Sequence, residues 1–202
     1  MTVPAASNWP SNAHLIEDVA ALGYLHKDWF TLDPTYGEGV FWRRWQPDNL
    51  TRTDLIPEKS PDNWRGVDFT DLPWEDEVWD AVVFDPPYKL NGTPSATDHR
   101  YGVNVVRTWQ ERHQLIRDGI VECARVLKPG GIFLLKCQDQ VCSGKVRWQT
   151  FEFATYAGFH GLDLIDRFDL LGTSRPQPAG RRQVHAHGRP STLLVFRREA
   201  IA

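Results

Sequence analysis

Two consecutive prolines directly after a short apolar segment constrain the fold of this chain more than any other feature of its sequence. Residues 81–84 are Ala, Val, Val and Phe, and the motif Asp85-Pro86-Pro87-Tyr88 follows them. Because proline has no backbone amide to donate, the segment is predicted to be a buried strand that ends at this motif. The strand would deliver an acid and an aromatic ring to its carboxyl end. Taken alone, the four residues also fit a Pro-rich turn in which Tyr88 fills the core.

The composition is that of one ordinary globular domain. Of the 202 residues, 41% are apolar and 24% are charged, and no apolar segment approaches the ~20 residues that a membrane helix needs. The chain does not open with a basic segment followed by an apolar stretch, so we expect no secretory signal and a cytoplasmic location. Cys123, Cys137 and Cys142 are odd in number and lack CxxC spacing, which argues against a disulfide framework or a zinc site.

The charges are segregated, although the net charge is only −3. Residues 68–80 contain acids and no base, whereas residues 172–191 contain arginines and no acid. Such a basic segment is a candidate for contacts with phosphates, and an ordinary solvated loop is the alternative. His185 and His187 in this segment are interpreted as polar loop residues, since no further Cys or His nearby would complete a metal site. The candidate phosphate contacts are Arg175, Arg181, Arg182 and Arg189.

The order of the predicted elements indicates a single α/β domain over residues 1–202. Residues 1–28 are predicted to form an N-terminal extension, irregular as far as Asn12, which caps the first helix. Alternating strands and helices predict a mostly parallel, doubly wound sheet. The last two strands have no helix between them, so we expect an antiparallel hairpin at one sheet edge. Predicted strands are residues 29–32, 50–53, 66–69, 81–84, 132–135, 162–171 and 192–196; predicted helices are 12–22, a segment from residue 40, 105–127 and 148–157.

The strand at residues 29–32 runs into a second informative stretch, Asp33-Pro34-Thr35-Tyr36-Gly37-Glu38-Gly39. An acid and closely spaced glycines after a strand are typical of a nucleotide-type cofactor loop, because glycine lets the backbone approach a ligand. The third glycine of GxGxxG is missing, and a simple glycine turn is an equally good interpretation of the stretch alone. Asp54 follows the next strand, where a carboxylate can accept hydrogen bonds from ribose; a solvated turn acid is the alternative.

Five motifs in this order resemble those of the class I S-adenosylmethionine-dependent methyltransferases. The specific resemblance is to amino-methyltransferases with a DPPY motif, which modify exocyclic amines of bases. It covers about residues 30–198 and implies a Rossmann-like domain with a seven-stranded, mostly parallel sheet and a reversed last strand. The motifs are residues 33–39, Asp54, Asp68-Phe69, Asp85-Pro86-Pro87-Tyr88 and Lys128-Pro129-Gly130-Gly131.

The resemblance implies S-adenosyl-L-methionine as the cofactor and gives a role to each motif. Asp54 would bind the ribose, and Asp68 with the Phe69 backbone would bind the adenine. Tyr36 and Glu38 depart from the commoner form of the cofactor loop, which affects the details of methionine recognition. The residues expected along the methionine part are Asp33, Pro34, Thr35, Tyr36, Gly37 and Gly39.

The Asp-Pro-Pro-Tyr motif suits methyl transfer to an exocyclic amine, whose nitrogen is a poor nucleophile because its lone pair is delocalised into the ring. If the Asp85 side chain and the Pro86 carbonyl accept the two amine hydrogens, the nitrogen moves towards a tetrahedral form and its developing positive charge is stabilised. Tyr88 would stack on a base that is flipped out of a duplex or single-stranded. We therefore assign Asp85, Pro86, Pro87 and Tyr88 as the catalytic motif.

The leading hypothesis for the substrate is adenine N6 in DNA, modified by a compact enzyme encoded by a bacterium or a phage. Asp at the first motif position favours nucleic acid over protein glutamine. One alternative is an RNA base methyltransferase acting on guanine N2 or adenine N6. The other, ranked third because Asp85 and Tyr88 are intact, is a cofactor-binding accessory subunit of a methyltransferase complex. Residues 89–104 and 172–191, or a separate recognition subunit, would read the substrate.

Overall fold

A seven-stranded sheet forms the centre of the computed structural model, which describes residues 2–63, 65–90, 108–172, 184–185 and 189–200. A separate two-stranded sheet, β6–β7, follows the longest strand. The described strands are β1 Ala6–Ser7, β2 Phe30–Asp33, β3 Asn49–Arg52, β4 Trp79–Phe84, β5 Leu127–Gln138, β6 Gln140–Cys142, β7 Lys145–Arg147, β8 Leu162–Leu170 and β9 Ser191–Arg198. The α-helices are α1 Asn12–Ala21, α2 Trp109–Val126 and α3 Gln149–Gly158, with short 3-10 turns at Val40–Trp42 and Pro57–Lys59.

The strand order across the main sheet is β1-β8-β9-β5-β4-β2-β3. Strands β2, β3, β4 and β5 pair in parallel, and β1 pairs in parallel with β8. Strand β9 runs antiparallel to both of its neighbours, β5 and β8. The predicted α/β fold, with seven mostly parallel strands and a reversed last strand, is therefore confirmed. The predicted β8–β9 hairpin also forms, but it lies inside the sheet rather than at an edge, because β1 extends the sheet beyond β8.

The seventh strand is not the predicted one. Residues 66–69 do not form a strand: the Asp71 amide donates to the Asp68 carbonyl at 3.1 Å, which turns the chain. Val67 and Phe69 are buried. The alternation of apolar and polar residues at 66–69 therefore comes from the burial of these two side chains and not from pairing in the sheet. Instead β1, in the segment predicted to be irregular, supplies the strand.

Several predicted boundaries also differ from the structure. Ser11, not Asn12, occupies the N-cap position of α1, and Asn12 is its first helical residue. The helix predicted from residue 40 is a single 3-10 turn. The strand predicted at residues 132–135 is longer, because β5 begins where α2 ends. None of the described helices is long and apolar enough to cross a membrane.

Residues 81–84 of strand β4 are buried on both faces of the sheet, which explains why this part of the strand is entirely apolar. Successive side chains alternate between two core clusters, as the period of a strand requires. One cluster packs β4 and β5 against α2 and α3, through Val82, Phe84, Phe133, Leu135, Ile116, Ile120, Phe153 and Ala157. The other packs them against α1 and the 3-10 turn, through Ala81, Val83, Ile132, Leu134, Leu15, Ile16, Val19, Phe41 and Trp42.

Helix α2 lies unusually close to the sheet at Gly119. The helix begins with a capping box, in which Thr108 Oγ1 accepts from the Glu111 amide and the Glu111 carboxylate accepts from the Thr108 amide. A Cβ atom added at Gly119 would lie 2.6 Å from Cζ of Phe84 and 2.7 Å from Cδ2 of Phe69. Glycine at this position therefore sets the distance between α2 and β4.

We expect Gly119→Ala to destabilise the fold, because both rings that it would meet are held in the core. Overpacking of this kind costs about 1–3 kcal/mol, which outweighs the ~1 kcal/mol by which alanine favours a helix. Urea unfolding followed by circular dichroism measures the change. Gly158→Ala in α3 is the matched control, since a Cβ atom there meets nothing within 4 Å. Equal stability of the two variants would contradict the close packing at Gly119.

Candidate active site

The carboxyl ends of three neighbouring parallel strands bring three acids to one edge of the sheet. Asp33 ends β2, Asp85 directly follows β4, and Asp54 lies two residues beyond β3. Ligands of open α/β sheets bind outside these strand ends. The structure thus brings together the glycine loop, Asp54 and the Asp-Pro-Pro-Tyr motif, as the sequence predicts.

One side chain connects the glycine loop to the Asp-Pro-Pro-Tyr motif. The backbone amide of Asp85 donates to Oγ1 of Thr35 at 2.8 Å. The Thr35 amide in turn donates to Oδ1 of Asp33 at 2.9 Å, and its hydroxyl contacts the same oxygen at 3.3 Å. Residues 33–39 and residues 85–88 therefore form one continuous hydrogen-bonded unit.

Asp33 is an almost completely buried acid. Its Oδ2 accepts a 2.7 Å hydrogen bond from Nε1 of Trp42, whose ring belongs to the core. Burial raises the pKa of Asp33 to about 7, opposed by the hydrogen bonds from Trp42 and Thr35 and reinforced by the charge of Asp85. A carboxyl group in this state gains charge whenever a cation binds beside it.

The glycine loop is folded around Tyr36. Gly37 and Gly39 have φ angles of 57° and 63°, in the left-handed region that favours glycine. A Cβ atom at Gly39 would lie 2.5 Å from Oη of Tyr36, so the ring covers this glycine. The Tyr36 amide donates to the Thr53 carbonyl at 2.9 Å, which fixes the loop to the end of β3.

Asp54 anchors the same loop from the neighbouring strand. Its Oδ2 accepts from the Gly37 amide at 3.0 Å, and its Oδ1 accepts from the Ile56 amide at 2.9 Å. Burial raises the pKa of Asp54, while these two hydrogen bonds oppose the shift. Each carboxylate oxygen accepts more than one hydrogen bond, so this arrangement is compatible with the predicted contact to ribose.

The pair Asp68-Phe69 is placed differently from the three acids. Asp68 is exposed, and its Oδ1 accepts from the amide and hydroxyl of Thr70 at 2.9 and 2.8 Å. The Phe69 ring is buried edge-on against Phe84, with 5.0 Å between the ring centroids. The side chain of Phe69 thus has a structural role, and the predicted contact of this pair with adenine stays a prediction.

The Asp-Pro-Pro-Tyr motif follows the buried end of β4. Asp85 keeps some exposure and Pro86 is buried, while Pro87 and Tyr88 are partly buried. The Tyr88 ring packs against the cluster around Phe84, so it does contribute to the core. Its carbonyl accepts from the side-chain amides of Gln140 and Gln149 at 2.8 and 2.9 Å. The position of Tyr88 is therefore fixed from two further elements, β6 and α3.

Lys136 is a charged neighbour of Asp85 that the sequence analysis did not assign to the site. Phe84 pairs with Leu135 across the β4–β5 ladder, so the next residues of the two strands are Asp85 and Lys136. Lys136 is 1% exposed, and its Nζ donates to Oδ1 of Asn12 at 2.7 Å. A lysine directly after the apolar core of a central strand was the signal in the sequence, since a buried lysine needs a partner.

Asp85 and Lys136 oppose each other's desolvation. Burial raises the pKa of Asp85, and the positive charge of Lys136 lowers it. Burial lowers the pKa of Lys136, and the negative charge of Asp85 raises it. The charge of Lys136 therefore favours the ionised form of Asp85, while burial, the larger effect, opposes it.

The β6–β7 hairpin, which the sequence analysis also missed, holds the segment after the motif. The side chain of Gln140 donates to the Tyr88 carbonyl, as above, and its Oε1 accepts from the Leu90 amide at 3.2 Å. The signal for the hairpin was the turn sequence Ser143-Gly144, in which both residues have positive φ.

Only part of the two predicted substrate loops belongs to the described residues. Arg175, Arg181 and Arg182 lie outside them, as do His187 and residues 91–104. Arg189 is described: its carbonyl accepts from Nε2 of Gln138 at 2.9 Å, and its guanidinium lies 4.7 Å from the centroid of a Trp148 ring. This end of the basic segment is therefore on the side of the molecule where β5 ends.

Comparisons with solved structures identify the fold. No protein-family model and no curated protein sequence matches this chain. The N-methyltransferase NodS from Bradyrhizobium japonicum WM9 shares 16% identity over 93% of this chain and 94% of its own, with a TM-score of 0.55. A SAM-dependent methyltransferase from Methanosarcina mazei shares 12% identity over 90% of this chain and 98% of its own, with a TM-score of 0.51. The [4+2]-cyclase SpnF shares 16% identity over 93% of this chain and 82% of its own, with a TM-score of 0.58. The likeness shows a Rossmann-like methyltransferase fold, and because the cyclase has this fold too, the reaction must be argued from the site.

As the pH rises from about 4 to 7, we expect the free energy of unfolding of the native chain to fall relative to that of Asp33→Asn. Over this range the unfolded chain ionises Asp33 freely, whereas the folded chain resists ionisation because its pKa is raised to about 7. The difference can reach at most about 4 kcal/mol above pH 7. Urea unfolding of both proteins across this pH range measures it.

The exposed acid Asp163 at the start of β8 provides the control. Asp163→Asn should keep the pH dependence of the native chain. If the curves for Asp33→Asn and the native chain run parallel, the raised pKa of Asp33 is refuted.

Proposed function

We propose that this chain is an S-adenosyl-L-methionine-dependent N-methyltransferase that modifies an exocyclic base amine, with adenine N6 in DNA as the leading acceptor. The observation that carries the proposal is the 2.8 Å hydrogen bond from the Asp85 amide to Thr35 Oγ1. It joins the loop that suits a nucleotide-type cofactor to the motif that suits an amine. A methyl donor and an acceptor amine must meet in the same way for transfer to occur.

The residues present suit the cofactor chemically. S-adenosyl-L-methionine supplies a methyl group on a positively charged sulfonium, together with a cationic amino group and ribose hydroxyls. Asp33 is a buried carboxyl whose pKa of about 7 would fall beside a cation. Asp33 and the backbone of residues 35–39 would hold the methionine part and Asp54 the ribose, with Asp68 and the Phe69 backbone proposed for the adenine.

Asp85 is placed to act on the acceptor nitrogen. Its carboxylate would accept one amine hydrogen and the Pro86 carbonyl the other, which draws the lone pair out of the ring and stabilises positive charge on nitrogen. The same carboxylate can take the proton that the nitrogen loses, since burial raises its pKa towards that of a useful base. The positive charge of Lys136 favours the ionised form of this group. Pro87 ends the strand, and Tyr88 presents a ring on which a base can stack.

The choice of nucleic acid as the acceptor rests on the Asp-Pro-Pro-Tyr sequence and on the aromatic ring at its end. The alternatives are an RNA base as acceptor and an accessory subunit that binds the cofactor for a catalytic partner. A separate recognition subunit is a proposed partner in either case, because the described part of the chain is a catalytic core with few additions.

The proposal predicts transfer of labelled methyl groups to DNA, and loss of transfer in Asp85→Asn. The asparagine has the shape of aspartate and can still accept a hydrogen bond, but it cannot take the proton and has no negative charge to stabilise the positive nitrogen. The rate should therefore fall by at least about 100-fold. Cofactor affinity, measured by titration calorimetry, should stay close to that of the native chain. Asp163→Asn, which changes an acid at the opposite ends of the strands, should leave both quantities unchanged.

Separating DNA, RNA, protein and small-amine acceptors after the reaction identifies the substrate. If the label appears in RNA alone, the acceptor is RNA and not DNA. Cofactor binding without transfer to any acceptor would favour the accessory-subunit alternative. Full activity of Asp85→Asn would refute the assigned role of this residue.

Lys136→Met should shift the pH dependence of the reaction rather than abolish it. Removing the positive charge raises the pKa of Asp85, because Lys136 is the charge that lowers it. The acidic limb of kcat/KM should therefore move to higher pH, while the rate at alkaline pH stays near that of the native chain. Thermal unfolding checks that the variant is folded at the pH values used. An unchanged pH profile in a folded variant would show that Lys136 does not control Asp85.

A further inference from the structure

Cations and exposed aromatic rings lie beside the catalytic motif, on the β6–β7 hairpin, at the start of α3 and just before β9. We call this group the hairpin platform; its members are Lys145, Arg147, Trp148, Phe151 and Arg189. The methyl-transfer reaction as argued above uses none of them, and only Arg189 was singled out in the sequence.

The elements that carry the hairpin platform are joined directly to the chain segment that follows Tyr88. Gln140 of β6 and Gln149 of α3 both donate to the Tyr88 carbonyl, at 2.8 and 2.9 Å. Sγ of Cys142 also lies 3.8 Å from the Leu90 carbonyl. A ligand lying on the platform would therefore border the position where Tyr88 is proposed to hold the acceptor base.

The aromatic members are exposed although they are large and apolar. Trp148 is 53% exposed and Phe151 is 75% exposed. They are three positions apart at the start of α3, which places them on the same side of the helix. Trp148 occupies the N-cap position but makes no side-chain cap hydrogen bond, so capping does not explain it. Exposed rings grouped in this way mark interaction surfaces.

Two of the cations stack on tryptophan rings. The Arg189 guanidinium lies 4.7 Å from a Trp148 ring centroid, and that of Arg147 lies 3.8 Å from a Trp109 ring centroid. Lys145 is exposed at the start of β7. Arginine stacked on an aromatic ring keeps its plane fixed and can still bind phosphate.

The acids nearest in sequence do not cancel this positive charge. Residues 140–151 contain no acid. The Asp139 carboxylate accepts from the amide and hydroxyl of Thr150, each at 2.9 Å, and so serves the first turn of α3. Glu152 pairs with His113 and Arg117 at 2.7 and 2.6 Å. The platform therefore presents its cations to a partner of negative charge.

We propose that the hairpin platform binds a nucleic-acid strand with unpaired bases, whose bases stack on Trp148 and Phe151 while its phosphates contact Lys145, Arg147 and Arg189. Exposed aromatic rings combined with cations are the chemistry by which proteins hold single strands, because every base has a face that can stack. Paired bases are stacked on each other and cannot meet the rings, which favours a single strand or an opened duplex. The inference rests on the proposed function for the class of acceptor.

Fluorescence anisotropy with labelled single-stranded oligonucleotides tests the proposal. DNA and RNA versions of one mixed sequence, and the DNA duplex, are titrated with the full chain. We expect a single strand to bind more tightly than the duplex, and Trp148→Ala to weaken single-strand binding about tenfold or more. Arg147→Ala should weaken binding and lower the slope of log affinity against log salt concentration by about 1.

Matched variants separate the platform from the rest of the surface. Phe151→Ala should weaken binding, whereas Phe159→Ala should not, although Phe159 is 81% exposed at the opposite end of α3. Lys27→Ala removes an exposed cation ahead of β2, at the opposite ends of the strands, and should leave affinity unchanged. Cofactor affinity and thermal unfolding confirm that each variant keeps its fold.

The outcomes distinguish this inference from the proposed function. If native and Trp148→Ala proteins bind single strands equally, or if the native chain binds none, the platform is not a nucleic-acid site. Loss of single-strand binding in Trp148→Ala and Phe151→Ala supports the inference whatever the methyl acceptor is. Asp85→Asn should still bind single strands, so a chain that binds them but never methylates them would refute the proposed reaction alone. Preference for the RNA strand in this assay would assign the platform to RNA.

Discussion

The contact on which the candidate site depends most is the hydrogen bond that the Asp85 amide donates to the Thr35 hydroxyl. Thr35 also donates its own amide to Asp33, so a single threonine links the segments that follow β2 and β4, two strands that already pair in the sheet. Neither Pro86 nor Pro87 has an amide that could continue the β4 ladder beyond this point. The glycine loop and the Asp-Pro-Pro-Tyr motif are held together through Thr35.

The second physical constraint is the burial of charge beside this contact. Asp33, Asp85 and Lys136 all lie where water is largely excluded, and burial opposes the charged form of each. The positive charge of Lys136 lowers the pKa of Asp85 and so offsets part of the effect of its burial. For Asp33 only hydrogen bonds oppose the effect of burial, and its pKa stays at about 7. A buried carboxyl whose pKa is raised to about 7 is suited to a cationic ligand, because a cation beside it lowers that pKa and favours its charged form.

The sheet fixes where the site lies but not what it acts upon. An N-methyltransferase and a [4+2]-cyclase have structures similar to this one, at 16% identity in each case. What differs between proteins of one fold is the set of side chains at the strand ends and on the surrounding loops. In this chain those side chains include the Asp-Pro-Pro-Tyr motif, on which the proposed nucleic-acid acceptor rests, and the hairpin platform.

The sequence by itself determined the α/β class, the reversed last strand and the meeting of residues 33–39, Asp54 and residues 85–88, because strand ends and prolines are local signals. The tertiary structure alone decided the rest. Residues 66–69 have the alternation of a strand but turn at the sheet edge, whereas Ala6–Ser7 pair with β8 through backbone groups that carry no sequence signal. Lys136 faces Asp85, and the β6–β7 hairpin holds Tyr88, only through the register of non-neighbouring segments. Such contacts depend on where distant strands lie, which local pattern and composition do not specify.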